Sequence, residues 1–181
     1  YGGIPGNLLV FGKKASVILA TKNGQAVMAL SRYGKGKAIA LPHYGFLSRQ
    51  FFNTNAGQTL IHNFTELSQS REKKILCVYL NDFADSLKKK YTNITASNTL
   101  PDKIGQYDIL FLQIPLNHDA SFSGKQVKRL KKYVHNGGTL IASAIGWVFV
   151  AYGGGKKGVE LKNFYGNKLF APMGITWGGL Y

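Results

Sequence analysis

The chain has 181 residues, 45% of them hydrophobic, and one cysteine. This length suffices for a domain that buries a core without disulfides, and a single cysteine excludes a disulfide framework. Twenty-three Lys and Arg against eight Asp and Glu give a formal net charge of +15, which favours polyanionic partners. Nucleic acid, acidic or sulfated glycan, anionic membrane and acidic protein all fit this charge, and a merely basic surface is the alternative.

The first fifty residues are predicted to form a small antiparallel β unit. Turn residues separate four apolar runs, which lie at 8–11, 16–20, 25–30 and 37–41. The pair Asn23-Gly24 predicts a type I′ hairpin turn, because both central residues of that turn need positive φ.

From about residue 55 the hydrophobic pattern predicts alternating helices and strands. The expected strands are 75–80, 108–113 and 139–143, and the expected helices include 83–91 and 123–135. Such alternation predicts an α/β fold with a mostly parallel sheet and helices on both faces. We expect a β-rich unit, 1–50, and an α/β domain, 51–181, to pack as one globular body.

The ends of two predicted helices carry local signals. Asp82 is expected to cap the first helix, and Ser123 with Gln126 fits a capping box at the start of the second. The second helix is cationic on its outer face and has no acidic residue at pairing distance along the helix. The cationic residues are Lys125, Lys128, Arg129 and Lys132.

This charge stripe is the strongest candidate for an anion-binding surface. Charged helix faces are often only solvated, but the missing carboxylates favour polyanion binding. The glycine-rich stretch 151–158 adds Lys156 and Lys157 as candidate anion ligands, and an ordinary connector loop is the alternative.

The segment Gly138–Gly146 is predicted to be a strand that runs into a tight turn, where α/β enzymes often carry a nucleophile. Ser143 is the hydroxyl at this turn, although alanines flank it instead of the glycines of G-x-S-x-G. A serine-dependent hydrolase or acyl transferase would pair Ser143 with His118 and Asp119. His43, at the end of an earlier strand, is the other candidate base, although such a histidine is more often structural.

Amide and aromatic residues follow the predicted parallel strands, where ligands bind in open α/β sheets. The residues expected in this crevice are Asn81, Gln113, Asn117, His118, Ser143, Gly146 and Trp147. They could contact sugar or peptide backbone, and packing explains them equally well. No spacing of histidines and acidic residues indicates a metal site, so we predict neither metal nor cofactor.

Signals of the cellular compartment disagree. Two glycosylation sequons, beginning at Asn63 and Asn93, and a first residue other than Met favour a secreted glycoprotein. Cys77 lies in an apolar strand pattern and is expected to be a buried, inert thiol. A lone cysteine is compatible with the cytosol, which leaves a cytoplasmic location at the plasma membrane as the alternative.

Three segments carry a resemblance to a known family. They are 3–12, 32–46 and 163–175, and they keep their order and approximate spacing. In these segments the chain resembles the amino-terminal region of the transient receptor potential channel-associated factor (TCAF) family. The resemblance implies a class I glutamine amidotransferase-like fold and an interaction role, since full-length members are associated with binding and trafficking of a membrane channel. The family's downstream metallopeptidase-like domain has an H-E-x-x-H helix, which this chain does not contain.

The resemblance also implies which residue is expected at the turn that ends the segment Gly138–Gly146. Related amidotransferase-like proteins often place a cysteine there, and Ala144 occupies that position in this chain. We therefore predict a non-catalytic binding module, a piece of a longer protein, that binds an anionic glycan, an anionic membrane or an acidic protein. The alternatives are the Ser143-dependent enzyme and a nucleic-acid binder.

Overall fold

A mixed β-sheet is the centre of the fold in the computed structural model, which describes residues 6–115, 122–153 and 160–179. Nine strands occur in these residues: β1 Leu8–Val10, β2 Ala15–Ala20, β3 Ala26–Tyr33, β4 Gly36–Leu41, β5 Ile75–Val78, β6 Ile94–Ser97, β7 Ile109–Gln113, β8 Thr139–Ser143 and β9 Ile175–Trp177. Their order is β6-β5-β7-β8-β4-β3-β1-β9, with β2 paired to β3 off this path.

Six α-helices accompany the strands in the described ranges: α1 Arg49–Phe52, α2 Asn55–Thr65, α3 Asn81–Leu87, α4 Gly124–His135, α5 Gly146–Gly153 and α6 Tyr165–Phe170. Short 3-10 turns lie at Tyr44–Leu47, Ile104–Gln106, Leu161–Asn163 and Ala171–Met173. No helix of the described chain is long and apolar enough to cross a membrane.

One half of the sheet is parallel. Strands β6, β5, β7, β8 and β4 pair side by side in the same direction. Ser143 pairs with Leu41 on one side and with Gln113 on the other, so three strands end at one edge. The predicted α/β fold with a parallel sheet is confirmed. Strand β4 lies within the range of the predicted β-rich unit and pairs with β8, and the division at residue 50 stays a prediction.

The other half is antiparallel and contains β1, β2, β3 and β9. The predicted type I′ turn is wrong, because Gly24 has φ of +80° but Asn23 does not have positive φ. Gly24 N–H donates to Thr21 O at 3.0 Å, and Thr21 N–H donates to Gln25 O at 2.9 Å. A single left-handed glycine after an ordinary turn therefore closes the β2–β3 hairpin.

Apolar clusters cover both faces of the sheet, as predicted. On one face Ile39 and Phe111 pack with residues of α2 and α3. On the other, Leu140 and Trp177 pack with residues of α4, α5 and α6. Burying one such side chain stabilises the fold by about 1.5–3 kcal/mol, which holds the helices in fixed positions on the sheet.

Helix α3 begins earlier than predicted. Its N-cap is Leu80, which makes no side-chain capping bond, so the predicted cap by Asp82 is wrong. Asp82 lies instead in the first turn, where its charge still suits the helix dipole.

Helix α4 has well-defined ends. Its capping box is confirmed, with Ser123 N–H donating to Gln126 Oε1 at 3.1 Å. At its carboxyl end Gly138 N–H donates to Tyr133 O and Gly137 N–H donates to Val134 O. Gly137 has φ of +120°, so the pair completes a Schellman motif and turns the chain into β8.

Candidate functional site

The strand-to-helix turn after β8 is short but does not present a nucleophile. Ser143 is fully buried, and its Oγ has no hydrogen-bond partner within the described residues. Non-glycine residues with positive φ in the described ranges are Tyr79 and Asn93, so the backbone at Ser143 lacks the left-handed strain expected of a nucleophile elbow. A substrate would have to displace packed residues to reach this hydroxyl.

Close packing explains the small residues of this turn. Ala144 is fully buried, and its N–H donates to Leu41 O at 3.1 Å. A Cβ added at Gly146 would lie 2.2 Å from Gly178 O and 2.9 Å from Trp177 Cβ. The segment after β9 therefore covers the start of α5, and only glycine fits there. Trp147, the next residue, is half-buried.

His43 has a local structural role. It caps the 3-10 turn at Tyr44–Leu47, where its Nδ1 accepts a hydrogen bond from Gly45 N–H at 2.9 Å. Burial lowers the pKa of His43, which favours the neutral imidazole that this acceptor role requires. The other members of the predicted triad, His118 and Asp119, lie outside the described residues.

The predicted crevice is only partly assembled in one place. Asn81 and Gln113 line a depression of about 450 Å³ beyond the carboxyl ends of β5 and β7. Ser143, Gly146 and Trp147 are not among its lining residues, and Asn117 lies outside the described ranges.

Neighbours that the sequence pattern did not indicate complete this depression. Arg49 and Tyr44 contribute from the segment before α2, and Tyr79 contributes from the end of β5 with φ of 60°. Tyr44 O–H donates to Ile114 O at 3.1 Å, and burial raises its pKa to about 12. Asn81 Nδ2 donates to Asn98 Oδ1 at 2.7 Å. Hydrogen bonds to neighbouring residues fix these polar groups in place. The groups meet in one depression only because the fold brings together segments that are distant in sequence.

Cys77 is confirmed as a buried thiol. It is in the middle of β5 and fully buried, and this burial raises its pKa to about 12. The thiol stays protonated at neutral pH, so it is a poor nucleophile. No group of three or more metal-ligating side chains occurs in the described part of the chain.

The cationic face of α4 is less uniform than predicted. The expectation that no acidic residue pairs with it is wrong for Arg129, which pairs with Asp102. Arg129 Nη1 also donates to Pro101 O at 2.8 Å and to Leu100 O at 3.3 Å. The guanidinium therefore ties α4 to the segment that leads into β7.

The lysines of this face are exposed, but they do not all line the same depression. Lys125 and Lys128 are exposed, and Lys132 lines a depression of about 480 Å³ together with Asp108 and Tyr133. None of these three lysines forms an ion pair with a described residue. Lys156 and Lys157 lie outside the described ranges, so their predicted role stays a prediction.

A second group of lysines surrounds a depression of about 670 Å³ between α4 and the segment 161–177, here called the lysine groove. Its rim consists of Lys128, Lys131, Lys162 and Lys168. Its apolar lining consists of Leu9, Val127, Leu161, Ala171, Pro172 and Trp177. The sequence pattern indicated only Lys128, because Lys131 lies outside the predicted stripe on α4 and the others come from separate short elements.

The asparagines of both sequons lie on the surface. Asn63 is exposed on α2, whereas the hydroxyl-bearing Thr65 is buried and donates to His62 O at 2.8 Å. Asn93 is exposed in a left-handed conformation before β6, and its partner Thr95 is exposed too.

Comparison with known proteins gives consistent matches over almost the whole chain. The family model TCAF_N, described as "TRPM8, N-terminal domain", matches residues 1–179. A TRPM8 channel-associated factor homolog of Xenopus laevis is 26% identical over 95% of the chain, and one of Danio rerio is 24% identical over 99%. TRPM8 channel-associated factor 2 of Homo sapiens is 23% identical over 99%. The chain spans 17–19% of the length of these relatives.

The fold also matches solved structures. IMPa from Pseudomonas aeruginosa, in complex with an O-glycopeptide, superposes with a TM-score of 0.64 at 15% identity over 96% of this chain and 19% of that chain. The IMPa metallopeptidase in complex with T-antigen gives a TM-score of 0.62 at 14% identity, over 96% and 20%. At such identities the likeness concerns the fold.

Proposed function

We propose that this chain, which belongs to the TCAF_N family of TRPM8 channel-associated factor N-terminal domains, is a non-catalytic binding module whose basic surface contacts an anionic partner. Family membership supports an interaction role, because the relatives are named for their association with a channel protein. The same observation favours an acidic protein surface over glycan, membrane or nucleic acid as the partner.

The observation that carries this proposal is the unpaired charge on α4. Within the described residues Lys125, Lys128, Lys131 and Lys132 form no ion pair, and the whole chain carries a net charge of +15. Lysines that form no ion pair keep their attraction for an external anion, since no contacting carboxylate neutralises them. Arg129 stabilises the helix position instead of serving as a ligand.

The proposed lack of catalysis rests on the burial of Ser143, the candidate nucleophile, and of Cys77, the single cysteine. Ser143 is fully buried, and the Cys77 thiol has a pKa raised to about 12 by burial. Ala144 stands where the resemblance implies a catalytic cysteine. A nucleophile needs both access to the substrate and an activating base, and neither side chain has access here.

Heparin chromatography tests the proposal. The variant Lys125→Glu, Lys128→Glu, Lys132→Glu should elute at clearly lower salt than the wild type, because it removes local charge from α4. A control with the same change of net charge, Lys13→Glu, Lys22→Glu, Lys89→Glu, alters exposed lysines elsewhere and should elute at higher salt than the α4 variant. Equal elution of the two variants would show that only total charge matters and would overturn the proposal.

We further propose that the protein is secreted. The exposed sequon at Asn93, with its exposed Thr95, supports this location. Intact-mass measurement of natural material should show added carbohydrate that an N-glycosidase removes. An unmodified mass, with the protein recovered from the cytosol, would support the alternative of a cytoplasmic location at the plasma membrane.

A further inference from the structure

The lysine groove joins elements that are distant in sequence. Lys128 and Lys131 lie one helical turn apart on α4, Lys168 lies on α6, and Lys162 lies in the 3-10 turn Leu161–Asn163. The contact of α4 with α6 brings these side chains around one opening. Four positive charges therefore surround a depression of about 670 Å³.

The floor of the groove offers little hydrogen bonding beyond the Thr176 hydroxyl. Its one amide, Asn167, donates through Nδ2 to Leu161 O at 3.1 Å and to Trp177 O at 3.0 Å, and its Oδ1 accepts from Trp177 N–H at 2.7 Å. Trp177 Nε1 donates to Leu41 O at 3.0 Å. The Asn167 amide and the Trp177 indole are thus used internally, and the floor left for an occupant is mainly apolar.

Apolar area remains accessible on this floor and at its end. Leu161 and Ala171 are half-buried, Pro172 is exposed, and Leu9 keeps 54% of its surface exposed. Each apolar side chain that an occupant buried there would favour binding in proportion to the apolar area removed from water. A ligand with charge alone would leave this gain unused.

Most of the positive charge on the rim is not neutralised by contacts within the described part of the chain. Lys128 and Lys131 form no ion pair with a described residue, and the described lining of the groove contains no carboxylate. Lys168 Nζ lies 5.4 Å from the centre of the Tyr165 ring, a contact that leaves its charge unneutralised. Lys162 pairs with Glu160, which is exposed and outside the groove lining.

We propose that the lysine groove binds an acidic amphipathic segment of a partner protein, with apolar side chains on the floor and carboxylates on the lysine rim. This inference rests on the proposed function and specifies the partner chemistry. A sulfated glycan or nucleic-acid backbone supplies charge without apolar side chains for the floor. A segment that carries both, as helix-in-groove ligands do, satisfies floor and rim together.

Two synthetic peptides test the proposal in fluorescence anisotropy titrations. The first is a fluorescein-labelled 15-residue peptide with Leu at helical spacing and Glu between, and the second has each Leu replaced by Ser at the same charge. Loss of one or two buried Leu contacts should weaken binding of the second peptide by about tenfold or more. Equal affinity of the two peptides would show that the groove contributes charge alone and would overturn the proposal.

Variants of the groove locate the site. Ala171→Phe fills the floor and Pro172→Glu places a carboxylate at an exposed lining position, so either should weaken the Leu-containing peptide by about tenfold or more. Pro172→Glu keeps the test decisive should Ala171→Phe disturb folding. The control Lys13→Glu, Lys22→Glu should change this affinity much less, although it alters more charge. Unchanged affinity in both groove variants would contradict the groove as the site.

The same variants separate this inference from the proposed function. Ala171→Phe leaves the lysines in place, so its retention on heparin should equal that of the wild type. Lost heparin retention in the α4 charge variant together with unchanged peptide binding in both Ala171→Phe and Pro172→Glu would overturn the groove and leave the proposed function standing. The wild type could instead bind phosphatidylserine vesicles more strongly than the peptide and lose this binding in Pro172→Glu. That result would show that the groove binds a membrane surface, and it would overturn a protein segment as the occupant.

Discussion

The turn at the end of β8 and the lysine groove differ in how accessible their side chains are. At the edge, Ser143 and Ala144 are fully buried, and Gly146 is in tight contact with the segment after β9. In the groove, by contrast, an apolar floor is open and the lysines around it face solvent. The end of β8 is thus part of the packed interior, and accessible positive charge surrounds the groove.

The largest expected effect is on the packing of this edge. Gly146→Val should lower the free energy of unfolding by about 3 kcal/mol or more, since its Cβ would lie 2.2 Å from Gly178 O and the backbone would have to move. Urea denaturation measures the change. Gly124→Ala is the matched control: its Cβ meets no atom within 4 Å, and it should be neutral or slightly stabilising. Equal effects of the two substitutions would contradict the tight packing.

The second prediction distinguishes Arg129, which holds α4 in place, from the exposed lysines of the same helix. Arg129→Met should destabilise the fold by about 1–3 kcal/mol, because the Leu100 and Pro101 carbonyls lose a shared donor. Lys125→Met removes an exposed charge and should change stability by less than about 0.5 kcal/mol. In heparin chromatography the order of the two variants should reverse: Lys125→Met should reduce retention more than Arg129→Met does. A larger loss of retention in Arg129→Met, with its fold intact, would make Arg129 a ligand.

Local signals predicted much of the fold. The capping box at Ser123, the glycine pair after α4 and the buried pattern of β5 and β7 each depend on residues close in sequence, so their elements were predicted nearly to the residue. The α/β class followed from the alternation of helices and strands. The turn at Asn23-Gly24 was assigned the wrong type, because a single glycine with positive φ is enough to close the hairpin.

The candidate site was less predictable, because it depends on contacts between distant segments. The stripe on α4 suggested four equivalent cations, but Arg129 binds carbonyls of the segment before β7, 28 and 29 residues away. Lys162 and Lys168 join Lys128 only through the packing of α6 on α4. No periodicity in one element could have indicated that grouping.

The third prediction concerns pH and the carboxyl edge. His43 has a pKa below 6.5 in the folded state, so the unfolded chain binds the proton more readily and stability should fall as pH decreases through and below 6.5. His43→Asn keeps a side-chain acceptor for Gly45 N–H without titrating, and it should show a smaller loss of thermal stability between pH 7 and pH 5. Identical pH profiles for the two proteins would remove His43 as a source of this dependence.

The smallest expected effect is that of Ser143→Ala. The substitution removes a buried hydroxyl that has no partner in the described residues, so stability should change by no more than about 1 kcal/mol and could increase. A serine-reactive fluorophosphonate should label neither the wild type nor the variant. Labelling of the wild type that disappears in Ser143→Ala would support the enzyme alternative and reverse the comparison between edge and groove.

The most direct test of the account is a nitrogen-15 NMR titration with the acidic Leu-containing peptide. Shift changes should concentrate at amides of α4, of α6 and of the turn Leu161–Asn163, while amides at Gln113 and Ser143 stay unchanged. The same pattern should be absent with the Ser-containing control peptide at equal concentration. Shift changes concentrated at the carboxyl ends of β7 and β8 would contradict the account, because they would place binding at the buried edge.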